Sequence, residues 1–282
     1  TNMPLIIQRT ATANQFIVAY RDGTNTNGKL KIGSLSGTTI TLGSAQTVTS
    51  QNPVYLKVRF DLNTANKFSA AWRGTSNYAY AVSGTISSGT ITLGSEATVE
   101  SNTVYNISLE YDPNTADKFI VGYAHAGGFR GNVVEVSTLS LTVNPQQDFS
   151  NTSYSSKGIF KWNPSTANQI VAYYNNNQVS PTQAYARVVT VSGTSWTTGT
   201  EVQVHNSEVS DLFLDFDPNS ATKCLFTFED DRVGGSGKTG FIAIGTISGT
   251  NLSVGNVFEH EPTNTVSDHI GLYDQNTANQ FI

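Results

Sequence analysis

The sequence predicts an all-β protein, and three observations support this prediction. The first is composition: Thr, Ser, Asn and Gly crowd the 282-residue chain and only 13% of residues are charged, which is typical of short strands joined by tight turns. The second is a repeat that runs through the whole chain, and the third is that each period contains the same four strand-like runs. Together they indicate a β fold built from copies of one unit.

The repeat is marked by a phrase that ends on an apolar residue. It reads TANQF at Phe16 and TANKF at Phe68, and it returns every 51 to 57 residues as far as Phe281. Repeats of roughly 20 to 50 residues indicate solenoids, arrays or propellers. Five full periods and the opening of a sixth are present, at about residues 1–52, 53–103, 104–156, 157–209, 210–266 and 267–282.

The second period shows the four runs most clearly. They are rich in Val, Ile, Thr and aromatic residues and are bounded by turn-forming residues, so we interpret them as strands A to D. The A-to-B turn, DLNTAN in this period, has the chemistry of a compact hairpin loop. The C-to-D turn carries SGT in four periods, and the third period has VSTLSLT instead. The four runs are VYLKVRF (54–60), KFSAAW (67–72), YAYAVSGTI (78–86) and TITLGSEATV (90–99).

Strand B predicts how the units pack. Residues Phe16, Val18 and Tyr20 share one face and Ile17 and Ala19 share the other, and both faces are apolar or small. A strand that is apolar on both sides is covered on both sides, as in a propeller blade. We therefore predict a single β-propeller domain of four-stranded antiparallel blades over residues 1–282, with five full blades and part of a sixth; a β-solenoid or array is the alternative.

The ends of the sequence suggest a longer polypeptide. The chain opens on a predicted A strand, LIIQR (5–9), and closes on a predicted A and B pair, HIGLYD and NQFI. We expect a propeller of six or more blades that is cut by the boundaries of this sequence; the alternative is that the half-blade lies against the first blade and a partner chain completes it.

The stretch VGGSGKTG (233–240) imitates a phosphate-binding loop. That motif needs a glycine where this chain has Arg232, and it must lie between a parallel strand and a helix. Here the stretch falls in the B-to-C turn of the fifth period and a strand-like run follows it. We therefore interpret it as a glycine-rich hairpin loop.

Other reactive side chains also favour structural roles. The four histidines fall at different places in their repeats, so we expect loop or surface residues with no metal site. Cys224 takes a position held elsewhere by Phe or Ile, which indicates a core residue. The Asp and Asn residues of the A-to-B turns offer too few oxygens for calcium, and Glu229, Asp230 and Asp231 suggest a solvated acidic edge. The histidines are His125, His205, His260 and His269.

Charge and hydropathy predict which classes of partner the protein does not have. The net charge is -5, so the sequence predicts no nucleic-acid partner. No run approaches the roughly 18 apolar residues of a membrane span, so we expect no membrane insertion. We expect no cofactor, and no sequence pattern supports catalysis.

Binding is the function that the pattern leaves open. In a four-stranded blade the B-to-C and D-to-A connections share one rim, and the B-to-C connections vary in length while the opposite A-to-B turns stay uniform. Variable loops on a constant scaffold commonly carry binding sites, and aromatic residues beside Asn, Asp or Arg suit a sugar. The candidate ligand-binding residues on this rim are Arg21, Asp22, Arg73, Tyr78, His125, Phe129, Arg130, Asn175, Asn176, Asp230 and Arg232.

The phrases DPNTADKFIVGY, TANQFIVAYRDG and SGTTITLGSAQTV resemble the tandem repeats of virion structural proteins of marine bacteriophages, especially the fibre or appendage proteins of cyanobacterial phages. The resemblance covers nearly the whole chain and implies a non-enzymatic structural or adhesive module in a virion or extracellular setting. Its implied partners are other virion proteins, with a host-surface glycan and homo-oligomers as further possibilities. The alternative is a secreted propeller of cellular origin that binds or cleaves glycans.

Overall fold

A computed structural model of the protein contains antiparallel β-sheets and one short 3-10 turn, Thr75–Asn77. It describes residues 5–9, 14–24, 26–151, 155–179, 181–230, 239–261, 270–274, 276–277 and 279–281. The chain divides into two compact units: the first contains Thr1–Val121 and Asn132–Pro145, and the second contains Gly122–Gly131 and Gln146–Ile282. No helix in these described ranges is long and apolar enough to span a membrane.

The first unit holds two whole sheets, in which strands A, B and C pair in sequence order. Strand D follows as two short segments, and both pair with strand C. The first sheet consists of β1 (Leu5–Arg9), β2 (Gln15–Arg21), β3 (Gly28–Ser36), β4 (Thr39–Leu42) and β5 (Gln46–Thr49). The second consists of β6 (Val54–Phe60), β7 (Lys67–Arg73), β8 (Ala79–Ser87), β9 (Thr90–Leu93) and β10 (Ala97–Glu100).

The third sheet contributes residues to both units, and the fourth and fifth sheets belong to the second unit. The third sheet consists of β11 (Val104–Tyr111), β12 (Lys118–His125), β13 (Gly128–Ser137), β14 (Ser140–Val143) and β15 (Gln147–Asp148). The fourth consists of β16 (Gly158–Trp162), β17 (Gln169–Asn176), β18 (Gln183–Ser192), β19 (Ser195–Thr198) and β20 (Val202–His205). The fifth consists of β21 (Val209–Phe216), β22 (Lys223–Asp230), β23 (Thr239–Ser248) and β24 (Asn251–Glu261).

Strand D differs from the prediction, because four of the five sheets break it into two segments. In the second sheet the break falls at Gly94, between β9 and β10. A Cβ atom at this position would lie 2.2 Å from the carbonyl oxygen of Leu139, in the C-to-D turn of the next sheet. The chain therefore leaves the regular strand where a neighbouring backbone approaches too closely for any side chain.

The two-sided burial of strand B is confirmed in the second sheet. Phe68, Ala70 and Trp72 on one face, and Ser69 and Ala71 on the other, are all fully buried. The first of these faces packs against Ile17 and Ala19 of the first sheet. In the second unit Val171 and Tyr173 of the fourth sheet pack in the same way against Cys224 and Phe226 of the fifth. In both of these pairs the later sheet offers one face of strand B to the sheet that precedes it.

The A-to-B turns hold neighbouring sheets together. Asp61 Oδ1 accepts a hydrogen bond from the backbone N of Asn63 (2.8 Å), and its Oδ2 accepts one from the backbone N of Asp117 in the next sheet (2.8 Å). In the second unit Asp217 does the same with Asn219 (2.9 Å) and with Asn279 (3.0 Å). The turn chemistry predicted for these residues is confirmed, and their carboxylates also join one repeat to the next.

The C-to-D turns explain the SGT phrase. Gly37, Gly89, Gly193 and Gly249 all adopt positive φ angles, between 57° and 77°. Glycine adopts this left-handed conformation without a steric penalty. In the third sheet Thr138 takes the corresponding conformation, with φ of 59°. A β-branched residue therefore carries backbone strain at the one turn that departs from the phrase.

Candidate functional site

The rim formed by the B-to-C and D-to-A connections is where the candidate residues were predicted to lie. In the first sheet the two residues that follow Tyr20 stabilise loops. Arg21 Nη1 donates to Asn52 Oδ1 in the D-to-A connection (3.1 Å), and Asp22 Oδ1 accepts from the backbone N of Thr24 (2.9 Å). Partial burial and the charge of Asp22 raise the pKa of Tyr20. Arg21 and Asp22 therefore contribute to the shape of this part of the rim.

Tyr78 belongs to a larger group where the first sheet meets the second, and we call this group the Tyr80 cluster. The rings of Tyr78 and Tyr80 are half-buried, with centroids 6.5 Å apart. Tyr80 also stacks on the buried Trp72 at 6.3 Å. The short turn after β7 places Gly74 against the ring of Tyr80, since a Cβ there would lie 2.9 Å from it. The cluster consists of Gln51, Thr75, Tyr78, Tyr80 and Glu96.

Polar groups complete the Tyr80 cluster. Gln51 Nε2 donates to Glu96 Oε1, and Thr49 Oγ1 donates to Glu96 Oε2 at 3.2 Å. Thr75 Oγ1 donates to Gln51 Oε1 at 3.2 Å, so the B-to-C turn is joined to the D-to-A connection of the preceding sheet. Partial burial raises the pKa of Glu96, whereas the bond from Thr49 lowers it. The result is an aromatic surface beside a carboxylate and an amide.

In two other repeats the residues equivalent to Trp72 and Glu96 form a hydrogen bond with each other. Gln146 Nε2 donates to the hydroxyl of Tyr123 (2.9 Å), and the hydroxyl of Tyr174 donates to Glu201 Oε2. Burial, and then the charge of Glu201, raise the pKa of Tyr174 well above its ordinary value. In the second sheet the buried Trp72 Nε1 has no hydrogen-bond partner among the described residues. Of these three repeats, only the second has no hydrogen bond between the strand B aromatic residue and the residue equivalent to Glu96, as far as the described residues show.

Arg73 lies on the other side of the second sheet, in a group that we call the Arg73 cluster. Its Nη1 contacts the carbonyl oxygens of Val104 (3.4 Å) and Tyr105 (3.5 Å) in the next sheet. Its guanidinium lies 5.1 Å from the ring centroid of Tyr55. The cluster consists of Tyr55, Arg73, Val104 and Tyr105. Neighbouring candidate residues of strand B thus belong to separate groups.

In the second unit His125, Phe129 and Arg130 surround a tight turn. His125 Nδ1 accepts from the backbone N of Gly127 (2.8 Å), and Arg130 Nε lies 2.7 Å from Asp148 Oδ1. Phe129 is fully buried and stacks on Phe149 at 5.0 Å. Phe129 was expected on an accessible loop, but it lies at the start of β13, where period-two alternation turns its ring into the core.

The two asparagines that end β17 also stabilise the scaffold. Asn175 is buried, and its Oδ1 accepts from the backbone N of Ser156 (3.1 Å) and of Lys157 (2.9 Å) in the D-to-A connection. Asn176 Oδ1 accepts from the backbone N of Gln178 (2.9 Å). Asn175 therefore secures the connection that precedes its own sheet, and Asn176 shapes the turn that follows.

The acidic edge predicted at Glu229 and Asp230 is wrong, because both residues are fully buried. Asp230 accepts from His205 Nε2 (2.8 Å) and from Ser207 Oγ (3.1 Å), while Glu229 accepts from Ser210 Oγ (3.1 Å). A serine, a histidine and an aspartate do meet here. The serine bonds the carboxylate and not the imidazole, so this is not the relay that activates a nucleophile.

The prediction of loop or surface histidines is also wrong for His205. It ends β20 with its side chain 11% exposed, and its ring lies 4.7 Å from Phe228 and 5.6 Å from Phe241. Asp231, Arg232, His269 and residues 233–238 of the glycine-rich stretch lie outside the described residues. Within the described ranges no three His, Cys, Asp or Glu side chains gather in a way that could hold a metal ion.

The candidate residues therefore separate into several groups. Tyr78 and Arg73 lie in the two clusters that flank the second sheet, whereas Phe129, Asn175 and Asp230 are buried in the scaffold. Sequence reasoning missed Gln51, Tyr80 and Glu96. One signal could have found Glu96, since it follows the strand D glycine by two residues, as Glu201 does in the fourth repeat.

No protein-family model and no curated protein matches this chain. Solved structures do match it, among them a protein from Lactobacillus plantarum, with a TM-score of 0.60 and 9% identity over 88% of this chain and 69% of that one. A putative exo-beta-1,3-galactanase from Bifidobacterium bifidum matches at 0.51 and 11% identity, over 94% and 93% of the two chains. A triple arginine-to-alanine mutant of AofleA from Arthrobotrys oligospora matches at 0.53 and 9% identity, over 98% and 81%.

Identities this low show the fold alone. With its five antiparallel sheets and these structural neighbours, the chain is a β-propeller protein, as the repeat predicted.

Proposed function

We propose that this chain is a non-enzymatic adhesive module that binds glycans at its rim, through the Tyr80 cluster. The observation that carries the proposal is the pair of half-buried rings, Tyr78 and Tyr80, beside the Glu96 carboxylate and the Gln51 amide. A pyranose offers an apolar face, which packs on an aromatic ring, and hydroxyls, which bond to carboxylates and amides.

The biological setting that we propose is a phage virion. The resemblance of the repeats to fibre and appendage proteins supports this part of the proposal. It makes other virion proteins the neighbours of this module and a glycan on the host surface its target. Five antiparallel sheets with few charged residues suit a spacer that carries a binding rim.

A glycan array followed by calorimetry tests the binding. We expect binding of a neutral glycan that falls about tenfold or more in Tyr80→Ala and in Glu96→Gln, because each change removes one side of the contact. The matched control is Tyr185→Ala, at the same position of the fourth repeat, where the tyrosine hydroxyl donates to Gln183 Oε1 (2.5 Å). This control should leave the affinity within about twofold.

Two results would contradict the proposal. One is equal loss of affinity in Tyr80→Ala and Tyr185→Ala, which would place the contact elsewhere. The other is release of reducing sugar from the bound glycan by purified protein, which would make the module an enzyme.

A further inference from the structure

Arg73 carries a charge that no carboxylate among the described residues neutralises. In the described ranges its Nη1 makes two long contacts, at 3.4 and 3.5 Å, to backbone carbonyls, and no described residue accepts from its buried Nε. Within the described part of the chain no carboxylate forms an ion pair with it. A guanidinium presents five N–H donors in a planar fork, and for this fork the described residues provide acceptors at Nη1 alone.

Four other arginines in the described ranges show the usual arrangement. Arg59 donates to both oxygens of Glu110, at 3.1 Å each, and Arg130 pairs with Asp148 at 2.7 Å. Arg187 Nη1 donates to Asn151 Oδ1 at 2.9 Å, and Arg21 Nη1 to Asn52 Oδ1 at 3.1 Å. Each has a side-chain acceptor that Arg73 lacks.

Tyr55 places an aromatic ring against the Arg73 guanidinium. It lies at an irregularity in the pairing of β6 with β7, between Val54 and Lys57, and its φ angle is 56°. Its side chain is 44% exposed and faces the Arg73 guanidinium at 5.1 Å. A cation in contact with an accessible ring suits a ligand that is both anionic and partly apolar.

We propose that the Arg73 cluster binds the carboxylate of an acidic sugar, such as a terminal uronic acid. The carboxylate matches the planar fork of Arg73 with two parallel hydrogen bonds, and Tyr55 covers the apolar face of the sugar. The site is separate from the Tyr80 cluster, since Trp72 and Arg73 are consecutive in β7 and point to opposite faces of the sheet. This inference rests on the proposed function only in that the ligand is a glycan.

Calorimetry with three probes tests this site: an oligosaccharide that ends in glucuronic acid, its methyl ester, and the glucose-ended analogue. We expect the acid to bind about tenfold more tightly than either neutral probe, and Arg73→Gln to abolish this preference. Lys29→Gln, which removes a positive charge from the first sheet where Lys29 Nζ donates to Thr47 Oγ1 (2.8 Å), is the control for loss of charge and should leave binding within about twofold. Added salt should weaken only the binding of the acid.

Several results would overturn this inference. They are equal binding of acid and ester, an unchanged preference in Arg73→Gln, and binding of a sulfated sugar or an acidic peptide in place of the uronate.

If Arg73→Gln does not fold, Tyr55→Ala takes its place, and we expect about a fivefold loss of affinity for the acid. Loss of acid binding in Tyr80→Ala would assign the ligand to the Tyr80 cluster. Binding of neutral probes alone refutes this inference but not the proposed function, whereas absence of all glycan binding refutes both.

Discussion

The C-to-D turns show which residues suit the backbone conformation that each turn requires. Four C-to-D turns place glycine at positive φ, and the third places Thr138 there at 59°. The sequence shows this departure as VSTLSLT in place of SGT. Because the left-handed conformation brings the Cβ of a β-branched residue too close to the backbone, Thr138 carries a local energetic cost.

Thr138→Gly should therefore stabilise the protein. We expect a gain of about 1 kcal/mol in the free energy of unfolding, since relief of the backbone strain exceeds the entropic cost of glycine. Urea denaturation followed by circular dichroism measures the change. Thr85→Gly, inside strand β8, is the control and should lower stability; a loss in Thr138→Gly as well would show that no strain is present.

Sequence-based prediction was least successful for the exposure of single residues near the rim. Phe129, Asn175 and Asp230 are close to the rim in sequence, yet all three are buried. Strand pairing extends β17 and β22 beyond the strand B aromatic position of their repeats, and β13 already begins at Gly128, so these residues lie inside sheets. Gln51 contacts Glu96 and Thr75 only because neighbouring sheets meet, and a repeat read by itself does not show such contacts.

At the scale of single elements, the first strands of neighbouring sheets carry opposite charges at the same position. Arg59 of β6 faces Glu110 of β11 in the first unit, and Lys161 of β16 faces Asp215 of β21 at 3.6 Å in the second. The charge of Glu110 raises the pKa of Arg59. These pairs help to order the repeats, since a repeat in the wrong place would meet a like charge.

Reversal of the first pair tests this role. Arg59→Glu should lower the free energy of unfolding by about 2 kcal/mol, because two half-buried carboxylates then face each other. The double variant Arg59→Glu with Glu110→Arg should regain more than half of the loss. A double-mutant cycle in urea measures the coupling, and purely additive losses would show that the pair contributes nothing to the contact between sheets.

The elements themselves were predicted well, and for a physical reason. Strands A, B and C follow from alternation and turn chemistry, which are local properties of the sequence. The division of strand D at Gly94 was not predicted, because it depends on the carbonyl of Leu139 in another sheet.

At the scale of the whole molecule, buried tyrosines connect stability to pH. Burial raises the pKa of Tyr111 in the first unit and of Tyr173 and Tyr174 in the second. A phenol with a raised pKa in the folded state stays protonated there after the unfolded chain begins to ionise. Its contribution to stability is complete below the ordinary tyrosine pKa of about 10 and is lost as the pH rises above it.

Alkaline conditions should therefore destabilise the protein steeply. Each such tyrosine should remove about 1.4 kcal/mol for each pH unit above about 10. Tyr173→Phe is the informative variant, because no residue in the described part of the chain bonds the buried Tyr173 hydroxyl. It should raise stability near neutral pH by about 1 kcal/mol and reduce the alkaline slope. Urea midpoints at several pH values measure both effects, and an unchanged slope would contradict the argument.

The propeller architecture was the most predictable property, since a repeat that covers nearly the whole sequence is visible without any structure. The central functional claim is that the rim binds sugar where the first sheet meets the second. The most direct measurement is a crystal structure of the protein with the neutral glycan that binds most tightly in the array. We predict a pyranose ring packed on Tyr80 with a hydroxyl bonded to Glu96. A glycan bound at another surface, with the Tyr80 cluster filled only by water, would contradict it.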